Sequence, residues 1–393
     1  MSIKYTIDEN YIIAIRRELH KQPEIGFDLT NTIAVVKREL DAMGIEYTEK
    51  YGKSSVVATI NPQIDSLTIG IRADMDALPV TELNEVDYKS EIPGKMHACG
   101  HDAHTAMLLG TAKALNEIKD QLTCRVKLLF QPSEEGPYSG AEYMVQDGVL
   151  DDIDIVLGQH IENWLQAGTV GVCPEMCMAS NRPFKVEFFG KSTHGTLPHN
   201  GKNALAMAVR AYNGINQMQV TELDPFAQRV CTIGKLQAGA TGNVIPDYAV
   251  IEGTIRTYDM ELDKYLITRI EQISKNAAEE AGGTARVEAP VCYPFLYNNP
   301  VLAERWKETA AKIVGAENVV PMRTKLSSED FAFYLTKKPG LFFRLGTYNE
   351  EKGCVGMPHT NKFQLDEDAL KTGSSICVQF VIDNMSAVEL KKL

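Results

Sequence analysis

No uninterrupted apolar run in this sequence reaches the length needed to cross a bilayer. A helical membrane protein is therefore not expected, nor is a membrane partner. The opening stretch Met1-Ser2-Ile3-Lys4-Tyr5-Thr6-Ile7-Asp8-Glu9 lacks the apolar segment of a secretory signal, so none is expected there. Cysteine is sparse, with 8 in 393 residues at irregular spacings. That excludes the dense disulfide framework that staples short secreted domains, and a cytoplasmic location with reduced thiols is the corresponding expectation. Positive charge is in deficit: 40 Lys and Arg against 52 Asp and Glu leave −12. This balance argues against nucleic acid as a partner, although a local Arg or Lys can still receive an anionic substrate. There is no low-complexity tract and no obvious repeat.

What is present suits two domains, because the chain is too long for one ordinary core. Thr6-Ile7-Asp8-Glu9 reads as a capping box opening a helix that ends before Pro23, and a second helix fits residues 30–43 with Gly44 as its stop. Strand-like apolar runs follow at 55–60, 67–72, 125–130 and 153–157, with a helix at 104–118 among them. Strands alternating with helices imply an α/β fold with a mostly parallel sheet covered on both sides. Near Ser180 the pattern changes. Strands at 183–189, 229–236, 248–257 and 285–293 and helices at 202–218 and 259–281 come in the order βαββαβ, a ferredoxin-like arrangement. Residues 181–291 are read as an inserted small domain. Residues 1–180 and 292–393 form the first domain, to which the segment from Asn298 returns with a helix, a strand at 341–345 and a final helix.

Polar residues end three of the apolar runs: Ala73-Asp74-Met75-Asp76, Gln131-Pro132-Ser133-Glu134-Glu135-Gly136 and Gly158-Gln159-His160. In open α/β sheets ligands bind outside the carboxyl ends of the strands, so these groups point to one crevice. Of only eight histidines, His97, His101 and His104 stand together with Cys99. A lone histidine is usually structural, but three with a cysteine in so short a stretch read as a metal-binding segment. In an extended segment Cys99 and His101 point to the same side and can share one site, whereas His97 and His104 are less secure. Adjacent acids such as Glu134 and Glu135 can divide labour, one on a metal and one on a proton. Asp74 and Asp76 fit either turn caps or carboxylates that orient a metal ligand. His160 and His359 are further ligand candidates. Cys173 and Cys177 lack the second pair that a structural zinc site needs, Cys124, Cys231, Cys292 and Cys377 read as core, and Cys354 has no assignable role.

Together these residues resemble peptidase family M20, and within it the amidohydrolase branch that includes hippurate hydrolases, aminoacylase-like enzymes, auxin-conjugate hydrolases and N-acetyldiaminopimelate deacetylases. The resemblance spans nearly the whole chain. It runs through Arg17-Glu18-Leu19-His20-Lys21-Gln22-Pro23-Glu24, Arg72-Ala73-Asp74-Met75-Asp76-Ala77-Leu78-Pro79, the cluster from Met96 to His104, and the Glu134-Glu135 segment. Thr193-His194-Gly195 to Pro198 and Gly242-Asn243-Val244-Ile245-Pro246 continue it.

The resemblance implies a zinc-peptidase-like catalytic domain and two divalent metal ions held by Cys99, His101, Glu135, His160 and His359. It makes Glu134 the general base that takes a proton from a metal-activated water, and Asp76 or Asp74 the orienting acid. It makes the small domain a lid, sends His194 from it towards the substrate, across a dimer interface in some arrangements, and gives Asn243 and Arg256 to the substrate carboxylate or oxyanion. The wider family has a histidine where this chain has Asp74, and Met357-Pro358-His359-Thr360-Asn361 also departs from its commoner version. A thiolate ligand biases the site towards zinc, nickel or cobalt, with manganese an alternative. The implied reaction is hydrolysis of N-acyl amino acids, by a homodimer or homotetramer joined through the lid. A di- or carboxypeptidase on the same centre is the rival reading, and a non-catalytic binding protein would have lost Glu134 or a ligand.

Overall fold

In the computed structural model, which describes residues 3–136, 138–290 and 293–393, the strand Thr68–Asp74 is buried at every position. Such a strand needs cover on both faces, as the centre of a parallel sheet has. It pairs in parallel with Arg125–Gln131 on one side and Ile155–Gln166 on the other. Gly340–Tyr348 continues the parallel set beyond Ile155–Gln166. The edges are mixed: Val56–Ile60 runs antiparallel to Arg125–Gln131, and Val170–Val172 antiparallel to Gly340–Tyr348. Glu46–Thr48 and Val319–Pro321 complete an eight-stranded sheet. The helix His101–Glu117 packs against Glu9–Lys21 and Leu370–Asn384, and all three contribute to one apolar core.

The chain divides into two compact units. The first comprises Met1–Cys177, Tyr297–Arg323 and Asp330–Leu393, and the second Met178–Leu296 with Thr324–Glu329. The expected division is 1–180 with 292–393 against 181–291, whereas Thr324–Glu329 groups with the second unit. The cause is local bonding. The Lys325 carbonyl accepts from the Ala179 amide at 3.0 Å and the Tyr258 hydroxyl at 2.7 Å, and Arg256 donates to Ser328 Oγ at 3.0 Å.

The second unit has an antiparallel sheet in the order Arg229–Ala238, Tyr248–Thr257, Arg182–Phe189, Thr284–Glu288. The helices Ala204–Thr221 and Met260–Glu280 pack on it over Phe184, Val186, Phe188, Ile215 and Ile270. Asn203 and Asp259 cap those helices with their side chains. The expected last strand at 285–293 is shorter, and its end, with Cys292, lies outside the described residues. Cys124, Cys231 and Cys377 are buried. Among the described residues, no helix is long and apolar enough to cross a membrane.

Further local expectations differ from the structure. The first helix is capped by Asp8 rather than Thr6: an Asp8 carboxylate oxygen accepts from the Tyr11 amide at 3.0 Å, while Lys113 holds the other oxygen at 2.7 Å. The third helix begins at His101 rather than His104. Gly100 makes the early start, with φ +84°, a left-handed conformation that glycine adopts freely. A side chain there would also meet Ile161 at 2.8 Å.

Candidate metal centre

The parallel strands deliver acids and imidazoles to the carboxyl ends of the central strands. Arg72 pairs with Gly158, so two residues further along both strands stand Asp74 and His160. Asp74 itself pairs with Gln131, where the next strand gives way to the loop carrying Glu134 and Glu135. Gly100 turns the chain between Cys99 and His101, and the amide of His359 donates to the Ala98 carbonyl at 2.8 Å. The last histidine, distant in sequence, is thereby tied to the Cys99 segment.

Ligand-capable atoms converge in overlapping trios, each within 4.8 Å: Cys99, His101 and His160; Cys99, Glu135 and His359; and His101, Glu134 and Glu135. Cys99 Sγ lies 3.4 Å from His160 Nε2, and His359 Nε2 lies 3.0 Å from Glu135 Oε1. Cys99 and His101 come together in one trio, but His101 is the first residue of a helix, so the alternation of an extended segment is not what brings them together. A thiol, imidazoles and carboxylates in two trios that share Cys99 form a donor set suited to two borderline-soft divalent ions.

The neighbouring groups order this set. Asp76 accepts from the backbone amides of Glu134 and Glu135 at 2.9 and 3.0 Å and lies 3.3 Å from His101 Nδ1. It thus fixes both the acid loop and the imidazole. His104 donates from Nδ1 to Asp74 at 2.6 Å and accepts from the Ile161 amide on Nε2 at 3.0 Å. Both of its nitrogens are engaged, so His104 holds the scaffold. His97 is buried with neither ring nitrogen bonded. Ser133 and His359 have φ of 52° and 64°. Left-handed backbone at non-glycine residues is strained and tends to gather at functional sites, and these two residues adjoin or belong to the cluster.

Charge in the cluster is finely matched. Burial works against the Asp74 carboxylate, but Arg72, His101 and His104 together hold its pKa well below the usual carboxylate range. Burial likewise opposes a charge on His101, yet Asp74, Asp76 and Glu135 raise it to about 10. Burial, then Glu135 and Glu134, push the Cys99 thiol well up. His160 is driven down, chiefly by burial. An acid-rich pocket that retains protons on His101 and Cys99 has the charge pattern expected where cations displace protons.

Sequence reasoning overlooked Asp330. This buried carboxylate accepts from Arg72 Nη2 at 2.7 Å, from Gln131 Nε2 at 2.8 Å, from Ser139 Oγ at 2.7 Å and from the Ala141 amide at 3.2 Å. It pins both ends of the Glu134-Glu135 loop. The available signal was Arg72, a charge inside an otherwise apolar strand, which demands a buried acid as partner.

The remaining expected residues lie in the second unit. His194 is exposed, its Nδ1 2.7 Å from Thr196 Oγ1, on a two-stranded ribbon with Val244–Ile245. Asn243 is also exposed, and its carbonyl accepts from the Gly195 amide at 2.8 Å. Arg256 is half-buried and bonded to Ser328. His194 and Asn243 thus share one loop pair, while Arg256 stands on the strand Tyr248–Thr257.

Comparison with known proteins adds four findings. A profile described as peptidase family M20/M25/M40 matches residues 70–383. The chain is 37% identical over 369 residues to thermostable carboxypeptidase 2 of Saccharolobus solfataricus, covering 93% of each chain. It is 36% identical to the N-acetyl-L-cysteine deacetylase of Bacillus subtilis, covering 92% of this chain and 85% of that one. Among solved structures, the Bacillus subtilis YXEP protein, described as a dinuclear metal binding peptidase, aligns with a TM-score of 0.81 at 31% identity, covering 95% and 97% of the two chains.

Proposed function

Because the chain belongs to peptidase family M20/M25/M40 and is a metal-dependent hydrolase, we propose that it cleaves the amide bond of N-acyl amino acids with Glu134 as general base. The observation that carries this reading is the pair of ligand trios sharing Cys99, with Glu134 beside His101 and Glu135 in a third. Cys99, His101 and His160 would hold one divalent ion, and Cys99, Glu135 and His359 the other. The thiolate favours zinc, with nickel, cobalt or manganese as alternatives. When bound, such ions lower the pKa of a coordinated water towards neutrality and polarise a carbonyl.

The protein's own groups do the rest. Glu134, held in place through its backbone amide by Asp76, accepts the proton of the attacking water and passes it to the departing amine. Asp74 and Asp76 orient the imidazoles around the reacting atoms. His194 steadies the developing oxyanion, and Asn243 and Arg256 receive the substrate carboxylate. The chain works as a cytoplasmic homodimer or homotetramer joined through residues 181–291, which act as a lid on the catalytic part formed by 1–180 and 292–393. His194→Ala is then expected to lower kcat by about 10²–10³, the usual cost of a lost oxyanion donor, with metal content unchanged. An undiminished kcat removes His194 from the site.

A carboxypeptidase reading is favoured by the likeness to thermostable carboxypeptidase 2. A panel of acetyl-, benzoyl- and indoleacetyl-amino acids and dipeptides, run on metal-reconstituted protein, decides between the two. Acyl-amino acids should turn over faster, and faster dipeptide cleavage transfers the assignment to the peptidase.

The protonation pattern gives a separate expectation. Cys99 and His101 both hold protons near neutrality without metal. Metal binding should therefore release protons, and affinity should rise with pH through the neutral range. Zinc titration calorimetry in buffers of different ionisation enthalpy measures this, and buffer-independent heats contradict it.

A further inference from the structure

Beneath the candidate centre lies a second set of buried charges that the reaction does not use. Arg16 and His20 project from the first helix. Arg16 Nε lies 2.8 Å from Asp102 Oδ2, and His20 Nδ1 lies 2.7 Å from the same oxygen. His20 Nε2 lies 3.3 Å from Glu82 Oε1, and Arg16 also reaches Glu367 at 3.2 Å. Arg16, His20 and Asp102 are each 1% exposed and Glu82 4%. Burying so many charges is costly, and apolar residues of similar volume commonly serve stability as well or better. The cluster therefore calls for a reason beyond holding the core together.

Its ends supply one. Asp102 follows His101 directly in the first turn of the helix that carries that imidazole. On the other side, Glu82 accepts from Asn84, and the same Asn84 amide donates to the Phe363 carbonyl at 2.8 Å. The Leu83 amide donates to the Asn361 carbonyl at 2.8 Å, two residues past His359. One charged bracket thus grips the helix start behind His101 and the segment behind His359. These are the parts of the centre furthest apart in sequence.

We propose that Arg16 and His20 are positioning residues which, through Asp102 and through Glu82 and Asn84, set the spacing between the Cys99-His101 arm and the His359 arm. They thereby fix the affinity of the metal position formed by Cys99, Glu135 and His359. This rests on the metal-centre reading above.

The test is titration of the metal-free protein with cobalt(II), following the thiolate-to-cobalt absorption band and the number of equivalents bound. In His20→Gln, one equivalent should bind about 10- to 100-fold more weakly, the usual cost of removing an outer partner of a metal ligand. The other equivalent should keep its affinity, and the thiolate band should return at saturation. Asn84→Ser, a milder change on the His359 arm alone, should weaken the same equivalent and covers the case in which His20→Gln fails to fold. Thermal unfolding of the metal-free variants separates positioning from general loosening. Wild-type affinity for both equivalents in Asn84→Ser overturns the proposal, as does weakening of both in step with a lowered melting temperature. Cys99→Ser isolates the underlying reading: a thiolate band that survives this change, or is missing from the wild type, overturns the metal-centre assignment and this proposal with it.

Discussion

Glu134→Gln is expected to lower kcat by about 10²–10⁴, the range a positioned general base contributes, while the protein still binds two metal equivalents. The separation of effects follows from the geometry. Glu134 is absent from both trios that contain Cys99, whereas Glu135 lies in one of them with His359. Glutamine keeps the size of the side chain and the backbone amide that donates to Asp76, so the loop should stay in place. What it loses is the capacity to take a proton. Glu135→Gln should behave differently, giving up metal as well as turnover. Measuring kcat and metal stoichiometry on both variants checks the division of labour between these adjacent acids. Near-normal turnover in Glu134→Gln would overturn its assignment as base. Loss of metal would mean that the side chain itself is a ligand.

The sequence made the sheet and the acid-bearing carboxyl ends of its strands legible because buried parallel strands are short unbroken apolar runs, and the change from Ile71 to Asp74 is abrupt. It was less informative where tertiary packing decides. The expected strand at 153–157 is the start of Ile155–Gln166, which continues through His160, Glu162 and Asn163. Those polar residues look like a loop in sequence, but pairing with Gly340–Tyr348 keeps the backbone extended. The helix start was misplaced because a left-handed Gly100 directly before His101 leaves no Ser, Thr or Asp cap to read. His20 lies within the Arg17–Glu24 motif and Arg16 directly before it, yet nothing in their spacing said that they face Asp102 rather than solvent. Asp330 carried no periodic signal at all. Its partners Arg72, Gln131 and Ser139 lie 258, 199 and 191 residues away in sequence, so its role exists only in the folded protein.

That arrangement leads to the largest expected effect on stability. Arg72 is fully buried and donates to Gln131 Oε1 at 2.8 Å, Asp74 Oδ2 at 2.6 Å and Asp330 Oδ1 at 2.7 Å. Arg72→Met preserves the bulk of the side chain but leaves two carboxylates in the interior without their shared cation. Removing one partner of a buried ion pair commonly costs about 3–5 kcal/mol, because the other charge loses its compensation without regaining water. The penalty should also depend on pH. Asp74 is held well below the usual carboxylate range, and Arg72 is the strongest influence lowering it. A depressed carboxylate contributes stability above its unfolded pKa and loses that contribution as pH falls towards the folded value. With Arg72 gone, the largest influence favouring the ionised form is lost and His101 and His104 remain, so acid unfolding should begin at higher pH than in the wild type. Adding Asp330→Asn to Arg72→Met removes one of the stranded charges and should restore part of the loss. Urea unfolding of the wild type, both single variants and the double variant at several pH values measures the coupling directly. If the two substitutions simply add, Arg72 and Asp330 do not act as a pair, and the loop bearing Glu134 is held by something else.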